Sequence, residues 1–280
     1  MRVLILGGNR FVGAGLAAKL ATQYEVDVFN RSGTGPEGVH IIQGDRNQIS
    51  DIDKIDFDQY GVIIDFCLFK PEQFELIRNR IKGKYIFISS ASVYSDSSRS
   101  MFNPSMPADG LSAYAPYGRE KAECEKLICS TDLNYFIVRP PYIDGPNSHR
   151  PRLGNFVNRL KNNLPISIDG DGSAIMSFVW AEDLVQALYI AVTEGYTPRT
   201  IVNATGGEHY RVTEIIDKLG EILDKKPQYS FNCSDSIYPN VNLALTPGPL
   251  FNFFNKPFIE RLPEYLNWYT TNAKDKYGYN

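Results

Sequence analysis

A chain of 280 residues with 43% hydrophobic content is long enough for one large domain, or a domain plus a lobe, around a sizeable core. The net charge of −3 gives no reason to expect nucleic acid or an anionic membrane as a partner, and no apolar run reaches the roughly 18 residues of a membrane span. Cys67, Cys124, Cys129 and Cys233 form no C-x-x-C pair and no zinc-ligand spacing with the histidines; with no cleavable signal pattern in "MRVLIL", a cytoplasmic protein with free thiols and no bound metal is expected.

The first predicted element is the strand "RVLIL", Arg2 to Leu6, continuous and β-branched as a buried parallel strand is. "LGGNRFVG" follows and leads into a helix with Phe11 or Val12, Leu16 and Leu20 on one face. A glycine turn between a first strand and a first helix lets backbone approach a pyrophosphate, while the helix start offers N–H groups and a positive dipole end. Gly7, Asn9, Arg10, Phe11, Val12 and Gly13 are therefore candidate cofactor contacts, with Gly8 completing the turn. The bland alternative is a tight strand-to-helix turn with no ligand.

The second strand, "EVDVF" (Glu25 to Phe29), ends in "NRS". An acid there would accept hydrogen bonds from an NAD ribose; this chain has Asn30 and Arg31 instead. Together with Arg10 they favour NADP(H), whose 2′-phosphate suits a guanidinium, with NAD(H) as the alternative. The third strand, Val39 to Gln43, leads to Asp45, a candidate for the adenine edge or a plain loop acid. Strands follow at Val62 to Phe66 and Tyr85 to Ser89. Strand, helix and strand repeated in this way imply a parallel sheet with right-handed crossovers.

The stretch "YIFISSASVY" places the hydroxyls of Ser90 and Ser92 where a strand opens at its carboxyl edge, the edge at which open α/β sheets bind cofactors. On the next helix, "YGREK" puts Tyr117 and Lys121 on one face. An ammonium beside the phenol would lower its pKa from near 10 and make it a proton donor or acceptor for a carbonyl or alcohol. Alone, a Tyr-x-x-x-Lys pair is weak evidence in a chain with 17 tyrosines.

After the strand "YFIVR" (Tyr135 to Arg139) the segment "PPYIDGPNSHRPRLG" is rich in Pro and Gly, and the chain leaves the sheet. Two further helices are predicted, "AEDLVQALYIAV" and "VTEIIDKLGEIL". The second has Thr213 as its N-cap and Ile215, Ile216, Leu219, Ile222 and Leu223 facing inward. The last fifty residues are aromatic and Pro-rich with weak periodicity. The fold class expected is α/β, a Rossmann-type doubly wound parallel sheet with a smaller C-terminal substrate-binding lobe. Residues 1–150 would form the dinucleotide-binding domain and 151–280 mostly the lobe, with some segments returning to the sheet.

The combination "GGNRFVG", "FISSASVY", "YGREK", "VRPPYIDGP" and "FVWAEDLVQAL" resembles the extended short-chain dehydrogenase/reductase family, the NAD(P)-dependent sugar epimerases and dehydratases. The resemblance covers nearly the whole chain and implies that Ser90, Tyr117 and Lys121 are catalytic. It implies that Tyr117 and Lys121 also touch the cofactor and that Pro140 and Tyr142 line the nicotinamide. Arg10 departs from the usual middle glycine. The implied substrate is a nucleotide-linked sugar, contacted by Ser92, Arg150, Arg152, Asn155 and Arg159; a homodimer through a helix pair is the family-based expectation.

Sugar 4,6-dehydratases of this family carry an Asp-Glu pair directly after the catalytic Ser or Thr, where this chain has Ala91 and Ser92. His149 and Cys124 are conceivable acid/base groups without convincing placement. Two activities remain: NADPH-dependent reduction of a 4-keto sugar, favoured by the arginines, and C4 epimerisation with a bound NAD. A non-catalytic NADP-sensing or RNA-binding relative is the reading from another class; the complete Ser90, Tyr117 and Lys121 set and the acidic balance argue against it.

Overall fold

The computed structural model describes residues 1–94, 101–110, 114–249 and 256–277. Its centre is a seven-stranded sheet whose strands alternate with helices. β1 (Arg2–Leu6) is followed by α1 (Phe11–Leu20), β2 (Glu25–Asn30), β3 (His40–Gln43) and the short α2 (Ile49–Ile52). β4 (Tyr60–Asp65), α3 (Pro71–Glu75), β5 (Lys84–Ile88), α4 (Tyr117–Cys129) and β6 (Tyr135–Arg139) complete the first half. Beyond it lie β7 (Tyr142–Asp144), α5 (Arg152–Lys161), β8 (Ile166–Ser167), β9 (Met176–Trp180) and α6 (Ala181–Thr193). β10 (Thr200–Asn203), β11 (His209–Tyr210), α7 (Val212–Leu223), β12 (Tyr229–Ser230) and α8 (Leu262–Tyr277) end the described chain.

The strand order is β10-β6-β5-β4-β1-β2-β3, and every pairing in that sheet is parallel. Val3, Leu4, Ile5 and Leu6 are fully buried because helices cover both faces. On one face α1 packs against α6 over Ile5, Leu16, Leu20, Val28, Leu184 and Leu188. On the other, α3 and α4 close over Leu4, Leu6, Phe74, Tyr85, Phe87 and Ile128. The order reverses between β1 and β4, and in open α/β sheets the crevice outside the carboxyl ends at such a reversal is where ligands bind.

A second core joins α5, α7 and α8 with the small β11-β9-β7 sheet around Phe156, Phe178, Trp180, Ile216, Tyr238 and Tyr265. Two segments from beyond residue 150 belong to the large sheet: β10 pairs with β6, and α6 lies on α1. Two helices escape the sequence reading. In α5, Leu153, Phe156, Val157 and Leu160 are buried at helical spacing, a pattern hidden beneath the flanking Pro and Gly. In α8 the aromatic residues Tyr265 and Tyr269 face the lobe core.

Two details of α7 differ from expectation. Thr213 lies inside the helix, and Arg211 holds the cap position with extended backbone. Glu214 reaches back to accept the Arg211 N–H at 2.6 Å, the half of a capping box that satisfies the cap residue's own N–H. Ile222 is 36% exposed and leaves the inward face, whereas Leu223 packs half-buried against the lobe core. All four cysteines are unpaired, and among the described residues no helix is long and apolar enough to cross a membrane.

Candidate active site

The glycine turn brings α1 down onto the end of β1. Gly7 has φ +87°, and a Cβ added at Gly13 would lie 2.9 Å from the Gly8 Cα; no side chain fits between the two backbones. The Gly7 N–H donates to the Phe29 carbonyl at 2.9 Å, tying the turn to β2. Arg10 holds the cap position of α1 without a side-chain cap, and the first turn contains no acid. A helix start with neither cap nor acid leaves its N–H groups and positive dipole end to an anion. These residues thus fit the diphosphate of a dinucleotide. Val12 and Gly13 are buried, Phe11 is half-buried and Arg10 is exposed.

At the end of β2, Asn30 is buried and its side chain is engaged within the following turn. Its Oδ1 accepts from Ser32 Oγ at 2.7 Å and Gly33 N at 3.0 Å, and its Nδ2 donates to Thr34 O at 2.9 Å. Asn9 Nδ2 reaches across to Ser32 Oγ at 2.8 Å. Arg31 is exposed, and among the described residues neither it nor Arg10 has a carboxylate partner. The Asp45 carboxylate is turned into its own loop, accepting from Asn47 N at 2.9 Å and Asn47 Nδ2 at 2.7 Å.

The neighbouring residue carries more structure than the sequence suggests. Arg46 is buried and forks onto Asp65 at 2.7 and 3.0 Å. Asp65 also accepts from Tyr85 Oη at 2.9 Å and Cys67 N at 3.0 Å. A carboxylate closing the apolar run of β4 was the available signal. Burial pushes the Cys67 thiol up to about 11, against the opposing pull of Arg46.

Ser90 stands just past β5. Its hydroxyl caps the 3-10 turn Ala91–Val93, accepting from Ser92 N at 3.1 Å and donating to Ser92 Oγ at 3.0 Å. The start of α4 is pressed against this turn: a Cβ on Gly118 would lie 2.1 Å from the Ser92 carbonyl oxygen. That close approach is why a glycine follows Tyr117, and it sets the Tyr117 and Ser90 hydroxyls as neighbours. Tyr117 is 40% exposed, and its ring stands beside that of Phe69. Burial raises its pKa above 10, while the Ser90 bond and the Arg150 charge oppose the rise.

This corrects the expectation that Lys121 lowers the phenol's pKa. Lys121 is buried, and its Nζ donates to the Ile88 carbonyl at 2.9 Å. It stands 4.6 Å from the centroid of the Phe87 ring, 5.0 Å from that of Phe69 and 6.0 Å from that of Tyr117. Burial brings its own pKa down to about 8, partly offset by Asp65. The cation acting on the phenol is Arg150, from a loop far away in sequence.

Pro140 is buried, and its carbonyl accepts the Ala91 N–H at 2.9 Å, so the segment after β6 runs beside Ser90. The Tyr142 and Tyr114 hydroxyls share a hydrogen bond of 2.7 Å, and the Tyr142 ring stands edge-on to Tyr238. Arg152 lies 5.5 Å from the centroid of Tyr142. His149 meets Phe11 edge-on at 5.9 Å, which joins this loop to the glycine turn. Asn155 and Arg159 lie one helical turn apart on a separate cavity of about 100 Å³, with Ser167 and Asp235; Arg159 donates there to the Pro165 carbonyl at 2.6 Å. The sequence reading missed Phe69, 44% exposed, whose ring centroid is 6.4 Å from that of Tyr117.

Residues 73–204 match the NAD dependent epimerase/dehydratase family. The chain is 27% identical over 231 residues to "Chloroplast stem-loop binding protein of 41 kDa b, chloroplastic" of Arabidopsis thaliana, covering 74% of this chain and 59% of that protein. It is 26% identical over 203 residues to the dTDP-D-glucose 4,6-dehydratase of Mus musculus, covering 68% of this chain and 56% of that one. The chain thus spans less than two thirds of the length of either relative. The solved dTDP-glucose 4,6-dehydratase of Bacillus anthracis in complex with NAD superposes with a TM-score of 0.82 at 16% identity, covering 100% of both chains. At that identity the likeness is one of fold.

Proposed function

From a chain whose residues 73–204 match the NAD dependent epimerase/dehydratase family, we propose an NADPH-dependent reductase of a nucleotide-linked 4-keto sugar. The observation that carries the reading is the Ser90–Tyr117 hydroxyl pair at the carboxyl edge of the sheet, on the same edge as an uncapped helix start. Arg10 and Arg31, with no acid at the end of β2, favour the 2′-phosphate of NADP(H) over the free ribose of NAD(H). When bound, the cofactor supplies the hydride.

The residues of the chain do the rest. Ser90 orients the substrate carbonyl, and Tyr117, protonated at neutral pH because burial holds its pKa high, gives the oxygen its proton. Arg150 then favours the phenolate left behind. Lys121, its Nζ held by the Ile88 carbonyl, is a positioning residue for the end of β5. Ala91 and Ser92 follow Ser90 where the family's dehydratases carry acids, which weighs against elimination. The division near residue 150 separates, in this reading, cofactor binding from substrate binding, with α6 and β10 returning to the first; unpaired thiols fit a cytoplasmic setting.

Epimerisation with a retained NAD is the second reading, favoured by the NAD bound to the Bacillus anthracis protein. The Arabidopsis relative's name points to RNA; the net charge of −3 weighs against that here. The test is consumption of NADPH across UDP-, dTDP-, CDP- and GDP-linked 4-keto sugars. Tyr117→Phe should lower turnover by roughly 10²–10⁴-fold while NADPH affinity stays unchanged. Full activity of that variant, or tighter binding of NADH than NADPH, would overturn the corresponding part of the proposal.

A further inference from the structure

The turn that carries Ser90 is tied to the C-terminal lobe. Ala91, Val93 and Tyr94 from the turn, Ala122 from α4, and Leu243 and Leu245 from the lobe close with Phe102 into one buried cluster. Main-chain hydrogen bonds run through it. The Leu243 N–H donates to the Ile175 carbonyl at 2.9 Å, and the Leu243 carbonyl accepts from Ser177 N at 3.0 Å, which seats residues 243–246 beside β9. The same segment also holds Phe102, whose N–H donates to the Ala244 carbonyl at 2.8 Å and whose carbonyl accepts from Thr246 N at 2.8 Å. The Phe102 ring stacks on that of Tyr94 with centroids 5.0 Å apart.

Asn203, the last residue of β10, is fully buried where these pieces meet. Its Nδ2 donates to the Phe102 carbonyl at 3.0 Å and to the Thr246 carbonyl at 3.2 Å, and its Oδ1 accepts from the Tyr94 hydroxyl at 2.7 Å. Carbonyls can only accept, so one orientation of the amide satisfies all three partners. Losing one partner of such a buried group is costly, because water cannot replace it. A single side chain from the large sheet therefore fixes the spacing of the serine turn, Phe102 and the lobe segment.

We propose that Asn203 is a positioning residue for the reduction: through Tyr94 it keeps the Ser90 turn in register with residues 243–246, so that the placement of the lobe sets the placement of the Ser90 hydroxyl. The inference rests on the reductase reading above. Tyr94 closes the 3-10 turn that Ser90 caps, its N–H donating to the Ala91 carbonyl at 3.1 Å, so a shift of Tyr94 is passed directly to the serine. A misplacement of about 1 Å at a reacting group costs about 10²-fold in rate.

Hydrogen exchange of the full chain, followed by mass spectrometry, tests the tie without any substrate. Asn203→Ala, and Tyr94→Phe as the milder change, should speed exchange of the amides at 91–94 and 244–246 by about tenfold, while β1 keeps its protection. For Tyr94→Phe, an unchanged rate at 91–94 or an equal acceleration in β1 overturns the tie. Turnover then separates positioning from plain support of the fold. With a 4-keto sugar nucleotide that the parent reduces, Tyr94→Phe should lower kcat by roughly 10–100-fold and leave the KM for NADPH unchanged. In a Ser90→Ala background the same change should cost nothing further, since no hydroxyl is left to position. An equal fall in both backgrounds overturns the positioning role. If the parent reduces none of the sugars, the reductase reading is what fails, and the exchange rates still decide whether Asn203 joins the lobe to the serine turn.

Discussion

Glu125 lies one helical turn beyond Lys121 on α4, and its replacement by Ala is expected to be among the most damaging single changes in the chain. Arg139 forks onto Glu125, with Nη2 at 2.6 Å from Oε2 and Nε at 3.1 and 3.2 Å from the two oxygens. The Ser89 hydroxyl donates to the same carboxylate. The two charged side chains are 3% and 4% exposed, so water cannot replace either partner. Arg139 also lies 4.8 Å from the Tyr94 ring centroid and donates to the Pro104 carbonyl at 3.2 Å, contacts that hold it in place once the acid is gone. Removing one member of a buried pair costs about 3–5 kcal/mol, because the other charge stays buried and uncompensated. For a chain of this size that is a fall in Tm of roughly 5–9 °C. Scanning calorimetry measures it directly. Glu125→Ala combined with Arg139→Met should recover part of the loss, since no charge is then left stranded. A single-variant Tm within about 2 °C of the parent would refute the reasoning.

Gly118→Ala should push the start of α4 away from the Ser92 carbonyl, since the new Cβ would sit 2.1 Å from it. About 1–3 kcal/mol of stability and about 10²-fold in turnover are expected to be lost together; a variant that keeps both would show the close approach to be irrelevant. Asp144 is fully buried, and burial raises its pKa from 3.8 to about 7. Between those values the native state holds a proton that the unfolded chain has lost, so this group's contribution to stability falls as pH rises through the window. Asp144→Asn cannot ionise and should remove that slope from a plot of Tm against pH between about 4 and about 8; an unchanged slope would mean that Asp144 does not titrate there.

The alternation of apolar strands and helices, the glycine turn and the spacing of Tyr117 and Lys121 are local patterns. The chain declares them because strand periodicity, helix periodicity and turn chemistry depend on neighbours a few residues apart. From them follow the parallel sheet, its carboxyl-edge crevice and the position of Ser90 at a strand end. Where Pro and Gly flank an element, as before α5, they hide its local pattern, although Leu153, Phe156, Val157 and Leu160 carry the helical period.

What no spacing could show is which charge meets which group. Arg150 is 33 residues from Tyr117 in the numbering, yet its guanidinium acts on that phenol, while Lys121, four residues away, turns to the Ile88 carbonyl. Arg46 with Asp65, and His149 with Phe11, likewise meet only because crossovers bring separate strand ends to one edge. Ionisation depends on burial and on charges within a few ångströms in space. Those are set by the packing of the whole chain, so the sequence alone determined the framework and the candidate groups, and the tertiary structure decided their protonation and their partners.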